Sequence, residues 1–389
     1  MRKLVPLLAI GLAASGVAQA ASQTDYIIDP EDGVYESKGL LSKMPGGFVP
    51  VPTIITEPAV GNGLAVTGLL FHESDEEAAA RERGEGSVLP SNISLIGLGA
   101  TDNGTRGGGI GHLGFWMDDR LRYKGFLLYG DLNLDFYSLG NINLKHPVEM
   151  NLVGPFVFQQ LTMRYRDSNW FAGVRQIYRE VHTSYTGSRE VNKVPPAAVD
   201  LVARYLERDI TTSGLGLVAE YDSRNNPLGP TAGFNYVAHL SRYDKAIGSD
   251  LDYDALHLHG LNYWELSPRW DFAFRVQYDS VSGDSNLPPY VLPSVDLRGI
   301  SSTRYQGEAV LVSEAELTWK WRPNWKFNLF AGLGRTADNF ADIGSGSSST
   351  NRGAGVRYQV LQQYGFWMGL DVAEGPEESA FYIQAGSAW

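Results

Sequence analysis

The stretch "VDLRGISSTRYQGE", Val295 to Glu308, packs two arginines, a tyrosine and a lone glutamate into what its glycines and serines mark as a loop. A solvated loop needs Gly, Ser and Asp to turn, and it has no need of Arg298 pressed between Leu297 and Gly299. His257 and His259 in "LHLHG" lie two apart, so on a strand they share a face and offer imidazoles to a metal or to a nucleophile. The sequence places no third ligand beside them, and no serine or nucleophile motif accompanies them as a barrel-wall lipase would require. The glycines of Gly107 to Gly114 imitate a phosphate loop, but they sit in an alternating β segment with no helix after them. The sequence therefore assigns no catalytic, cofactor-binding or metal-ligating residue, and the reading is of a protein that is not an enzyme.

The elements that must hold these residues begin with the compartment. Arg2 and Lys3, the apolar run Leu4 to Val17 and the small-x-small site Ala18-Gln19-Ala20 form a secretory signal, expected over residues 1–20. The run is too short for a membrane-spanning helix. With Cys 0 the exported chain does not rely on disulfides. A formal net charge of −12 argues against nucleic acid as a partner. The mean hydropathy of −0.19 is too polar for a helical membrane protein, yet suits a barrel, where only the outward half of each strand needs to be apolar.

Period-two alternation supports that choice. In "LLYGDLNLDFYS", Leu128, Leu132, Leu134 and Phe136 oppose Tyr129, Asp131, Asn133 and Asp135. In "RWDFAFRVQYDS", Trp270, Phe272, Phe274, Val276 and Tyr278 oppose Asp271, Arg275, Gln277 and Asp279. In "GEAVLVSEAELTWKW", Ala309, Leu311, Ala315, Leu317, Trp319 and Trp321 oppose Glu308, Glu314, Glu316 and Lys320. The apolar faces are expected to meet lipid and to end in interfacial aromatics. Short connections ("MDDR", "RDSNW", "LSPRW", "RPNW", "LQQY") alternate with long ones, Thr183–Thr211, Gly283–Gln306 and Thr336–Asn351. This predicts an all-β, antiparallel up-and-down transmembrane barrel of about sixteen strands, residues 47–389, from Gly47–Glu57 to Ser379–Trp389. Residues 21–46 read as an extension too short to fold alone. The charged run His72 to Pro90 reads as a solvated connection, with a docking helix for a periplasmic partner as the sharper alternative.

Two stretches resemble a known family in register with that strand count. "YDSRNNPLGPTAG", Tyr221 to Gly233, with Asp222, Arg224, Asn226, Pro227, Pro230 and Gly233, is similar to the periplasmic turn between strands eight and nine of BamA/TamA-type outer-membrane assembly barrels, the bacterial surface antigen superfamily. "DLRGI", with Leu297, Arg298, Gly299 and Ile300, resembles their sixth-external-loop motif, eleven strands before it and five after. The resemblance implies that this loop folds into the lumen and that Arg298 meets an acidic residue on the wall. Glu316 stands at the matching position on strand twelve, with Glu314 on the same face as the second candidate. Three departures are visible: the chain has no room for the family's periplasmic receptor domains, the motif's aromatic is Ile300, and its strand-thirteen aspartate corresponds to Gly332.

The closing seam is the last feature. Pro50 and Pro52 in "FVPVPTIITEP" withhold two amides from one neighbouring strand, expected to be the last, and Trp389 ends the chain with an aromatic. In the family this seam opens sideways. The resemblance thus implies an outer-membrane factor for assembly, insertion or translocation of proteins or lipids, needing no cofactor. Its partners would be outer-membrane lipid and periplasmic or outer-membrane proteins. A structural or pore-forming barrel and a lipid-acting barrel enzyme are the alternatives.

Overall fold

The computed structural model describes residues 48–389 apart from 58, 73, 84–90, 140–141, 189–206, 227–228, 285–286, 362–365 and 386–388. The expected signal segment (1–20) and extension (21–46) lie outside the described residues. Sixteen antiparallel strands follow one another in chain order, each paired to the next. They are β1 (Phe48–Glu57), β2 (Gly61–His72), β3 (Asn92–Thr101), β4 (Arg106–Trp116), β5 (Leu121–Leu139), β6 (Ile142–Arg164), β7 (Trp170–Ser188) and β8 (Asp209–Asp222). The second half comprises β9 (Gly233–Tyr243), β10 (Tyr253–Ser267), β11 (Trp270–Gly283), β12 (Ala309–Arg322), β13 (Trp325–Ala337), β14 (Ser347–Leu361), β15 (Phe366–Glu374) and β16 (Ser379–Ala385). β1 and β16 face each other, but among the described residues no ladder joins them, so the barrel is nearly closed with an unsealed seam.

Around most of the wall the alternation sorts residues as a membrane demands. Leu64, Leu98, Leu217 and Leu329 are each more than 60% exposed on the outer surface, while Arg275, Glu314 and Asp371 on the inner surface are buried. Large apolar side chains left this bare are stable only against lipid. Exposed Trp264, Trp270, Trp319, Trp321 and Trp325 gather beside the short turns after β10 and β12, forming an interfacial aromatic belt.

β5 departs from the expected orientation. Leu128, Leu132, Leu134 and Phe136 are all buried, and they pack with Ile55, Val60, Met150 and Leu152 inside the barrel. Asp131 and Asn133 instead make ion pairs and hydrogen bonds with Arg106 and Asn151. β5 and β6, with 19 and 23 residues, are longer than a tilted spanning strand needs. Their projecting ends face water outside and pack protein inside, which inverts the pattern. The third long connection is also shorter than expected, because β13 runs to Ala337 and β14 begins at Ser347.

In the charged run after β2 a helix forms, α1 (Asp75–Glu82). Its start is a reciprocal cap: Glu77 N donates to Ser74 Oγ (3.2 Å), and Ser74 N donates to Glu77 Oε2 (2.8 Å).

Leu217→Arg places a charge on the lipid face of β8. It is expected to cost about 2–4 kcal/mol near the bilayer midplane, read as a lowered denaturant midpoint for the barrel in lipid vesicles. An unchanged midpoint would show that this face does not meet hydrocarbon.

Candidate functional site

The connection between β11 and β12 (residues 284–308) turns into the barrel, because its apolar residues have a core to join. Val295, Leu297 and Ile300 are buried against Val310 and Val312 of β12, with Tyr305 beside them. Ile300 thus supplies by aliphatic packing what the motif's aromatic would. Gly299 has φ +82, and a Cβ there would lie 3.1 Å from Ala373 and from Gly375 N, so the tip can approach β15 only as glycine.

That turn delivers Arg298 to three carboxylates. Its Nε donates to Glu314 Oε1 (3.2 Å) and its Nη1 to Asp371 Oδ2 (2.8 Å), and Glu316 Oε2 lies 2.9 Å from Nη1. The guanidinium also lies over the Phe330 ring, 3.3 Å from its centroid. Glu314 and Asp371 side chains are fully buried, whereas Glu316 is 13% exposed and shares its carboxylate with Asn328. Burial pushes Arg298 toward losing its proton, and Glu314, Glu316 and Asp371 together more than reverse this, holding it above its ordinary range.

The carboxylates are themselves shared. Arg275 Nη2 donates to Glu314 Oε2 (3.1 Å) and to the loop carbonyl of Asp296 (2.6 Å). Arg357 grips Asp371 with both terminal nitrogens, at 2.5 and 2.8 Å. Asn351 Nδ2 donates to Arg298 O (2.8 Å) and to Glu314 Oε1 (3.1 Å). Three guanidiniums therefore face three carboxylates, which is how a low-dielectric lumen can hold six charges.

Both expected acidic partners meet Arg298, with Glu314 the more deeply engaged. Asp371, Arg357 and Asn351 were missed. Each stands on the inner face of an alternating strand, as Asp371 does between outward Leu370 and Val372, so the signal was the face and not a motif. The departure at Gly332 has a steric account. A Cβ at 332 would sit 2.6 Å from Leu297 Cδ2 and from Asn351 Oδ1, so an aspartate there would collide with the plug. The charge is supplied from β15 instead.

The plug reaches both sides of the lumen. Thr303 Oγ1 donates to Asp135 O on β5, and Arg179 Nη1 on β7 donates to Tyr290 O (3.4 Å). On the seam side Gly299 N donates to Tyr382 Oη of β16 (2.8 Å), and Arg304 and Tyr305 bond Glu377 in the last loop. Trp389, expected at the seam, lies elsewhere: its Nε1 donates to Glu314 Oε2 (2.6 Å) inside the lumen, near Tyr263. A buried carboxylate with a free lone pair offers the indole N–H a partner that lipid cannot. Pro50 and Pro52 lie on β1 opposite Gly68 and Val66 of β2, beside the unsealed edge. His257 and His259 face inward and bond each other (3.0 Å), Asp279 (2.6 Å) and Asn235 (3.1 Å).

The turn after β8 closes the other end. Arg224 donates to both oxygens of Asp222 (2.8 and 2.9 Å), and Asn226 Oδ1 accepts from Gly229 N (3.3 Å). Gly233 has φ +101. Pro227 lies outside the described residues. Pro230 lines a cavity below the plug with Glu316, Asp271, Lys326, Trp367 and Trp389.

This geometry matches known structures. BamA from Haemophilus ducreyi lacking POTRA domains 1-3 is similar over 88% of this chain and 70% of its own, at 14% identity and TM-score 0.54. CdiB from Escherichia coli is similar over 87% and 62% (11% identity, TM-score 0.56), and CdiB from Acinetobacter baumannii over 86% and 59% (11%, 0.51). The barrel has the fold of BamA and CdiB. It spans less than two thirds of either CdiB chain. No family model matches the sequence, and no curated protein does.

Arg298→Ala is expected to destabilise this BamA-like barrel by about 3–5 kcal/mol, because it strands buried carboxylates. In double-mutant cycles Arg298 should couple more strongly to Asp371→Asn and Glu314→Gln than to Glu316→Gln. Additive effects in all three cycles would show that no such network exists. Gly332→Asp, which restores the motif's residue, should weaken the fold, and an unchanged melting temperature would refute the steric account.

Proposed function

We propose that the protein is a BamA/TamA-type barrel of the outer membrane that assists assembly, insertion or translocation of polypeptides, acting through its seam. The observation that supports this reading is the way the seam is held. Among the described residues no ladder seals β1 to β16, and β16, only seven residues long, is tied instead to the plug. Tyr382 accepts from Gly299 N, and Glu377, in the loop before β16, bonds Arg304 and Tyr305 of the plug. Opening the wall therefore costs few strand hydrogen bonds, each worth about 0.5–1.5 kcal/mol net. Moving the plug would remove this tie on the last strand, which then stays held by β15 alone, and moving the last strand would loosen the plug. A client strand could then pair with the exposed edges, which present unpaired amides and carbonyls.

On this reading residues 1–20 direct export and are cleaved, the end bearing α1 and the short turns is periplasmic, and the plug end faces outward. Lipid surrounds the wall, and a periplasmic or outer-membrane protein delivers the client. The work is binding and release, with no catalytic group required.

A cysteine pair joining β1 to β16, tried around Ile54 and Ile383, tests this directly. The crosslinked barrel should remain folded yet fail to restore outer-membrane protein levels in a strain lacking the gene, with restoration on reduction. Full restoration by an efficiently crosslinked barrel would exclude lateral opening. Single-channel recording covers the pore alternative: the intact barrel should conduct poorly and Arg298→Ala more. Large stable conductance in the intact barrel would favour a pore.

A further inference from the structure

Away from the plug's charge network, the wall carries a guanidinium in a different setting. Arg175 on β7 is 3% exposed. Among the described residues it makes no ion pair, its Nε is buried without a hydrogen-bond partner, and its main neighbour is the Phe158 ring at 5.1 Å. The other buried arginines of the lumen are engaged. Arg224 holds Asp222, Arg298 and Arg357 hold Asp371, Arg275 holds Glu314, and Arg179 donates to Thr212 Oγ1 and Tyr290 O. A buried charge persists only where something compensates it.

The strand registers show what surrounds Arg175. Lys124 on β5 is opposite Gln160 on β6, Gln160 is opposite Arg175, Arg175 is opposite Gly216 on β8, and Gly216 is opposite Ser241 on β9. Residues directly opposite each other share a face of the sheet, so this is one row across the inner wall. Gln160 and Ser241 are buried, and His239, on the same face of β9 as Ser241, is buried with its Nδ1 unpartnered. Gly216 shapes the row. A Cβ there would stand 3.0 Å from Arg175 Cγ and 2.4 Å from Ser241 Oγ, so the missing side chain is what lets the arginine stem cross β8 toward Ser241. Two inward carboxylates of this wall are engaged elsewhere, Glu220 by Asn235 (3.1 Å) and Arg122 (3.7 Å), and Asp279 by His257 (2.6 Å).

We propose that this row is a binding site for a phosphate oxyanion inside the barrel. Arg175 supplies the charge, and Gln160, Ser241 and His239 supply neutral donors around it. A guanidinium fork with several separate donors suits a group with three or four acceptor oxygens better than a two-oxygen carboxylate. Free phosphate and the phosphate of a lipid headgroup present the same chemistry to it.

The full-length barrel in maltoside micelles provides the test. Its unfolding temperature is measured in rising inorganic phosphate against sodium chloride of matched ionic strength. Phosphate should raise it saturably in the intact protein, since a ligand of the folded state stabilises by mass action. Arg175→Gln should abolish the rise, and without phosphate it should be no less stable than the intact protein, because it removes an uncompensated charge. Arg106→Gln, on the exterior, should keep the rise, which separates binding from the general salting effect of phosphate. Arg175→Lys, which keeps the charge and loses the fork, should need about tenfold more phosphate for the same rise. If the natural ligand is a headgroup, phosphatidylglycerol mixed into the micelles will raise the temperature where inorganic phosphate does not, again only with Arg175 present. Equal responses in the intact protein and Arg175→Gln would overturn the proposal. So would no response of the intact protein to either probe, whether or not the variants fold.

Discussion

The structure depends on neutralising Arg298 inside the barrel. A guanidinium taken out of water costs more than any single surface contact returns, so the loop carrying it stays inside only where carboxylates already wait. Glu314 and Glu316 come from β12 and Asp371 from β15, so the arginine binds strands that are not neighbours. Arg275 and Arg357 then keep those carboxylates from repelling one another. The loop's apolar residues add a small core against β12, and the two effects act in the same place. Either alone would be weaker: apolar packing does not select one loop position, and an ion pair alone barely offsets its desolvation.

From that pairing the rest of the lumen follows. The inward leucines of β5 pack with Ile55, Val60, Met150 and Leu152, and Tyr290 of the plug lies against that cluster. Gly332 must remain without a side chain because Leu297 occupies the space. The seam is affected as well. Backbone pairing, which holds every other strand to its neighbour, is missing between β1 and β16 among the described residues. Side-chain and loop contacts to the plug take over part of its role. The weakest line of the wall is thereby fastened to the plug.

Much of this was legible in the sequence. The alternation, the short and long connections and the Arg-Gly pair at a loop tip foretold sixteen strands, the plug and two of the three acidic partners. Two features were misjudged, each for its own reason. Assigning β5's apolar face to lipid assumed that every apolar strand face in a barrel looks outward, which holds only within the height of the membrane. Placing Trp389 at the seam treated the chain's end as a continuation of β16, although its indole N–H found Glu314 instead.

The sequence by itself determined the strands, their order and their two faces, because a period of two and a turn residue act over a few bonds. It also determined that Arg298 would need a carboxylate, because that requirement belongs to the side chain. Only the tertiary structure decided which carboxylates. Asp371 lies 73 residues from Arg298, and the two meet because consecutive registers and the curvature of the wall bring β15 opposite the loop tip. The same holds for the row through Arg175, where four strand pairings must stack before Lys124 and Ser241 share a line. Such contacts depend on the sum of many local pairings, and no short stretch of sequence contains that sum.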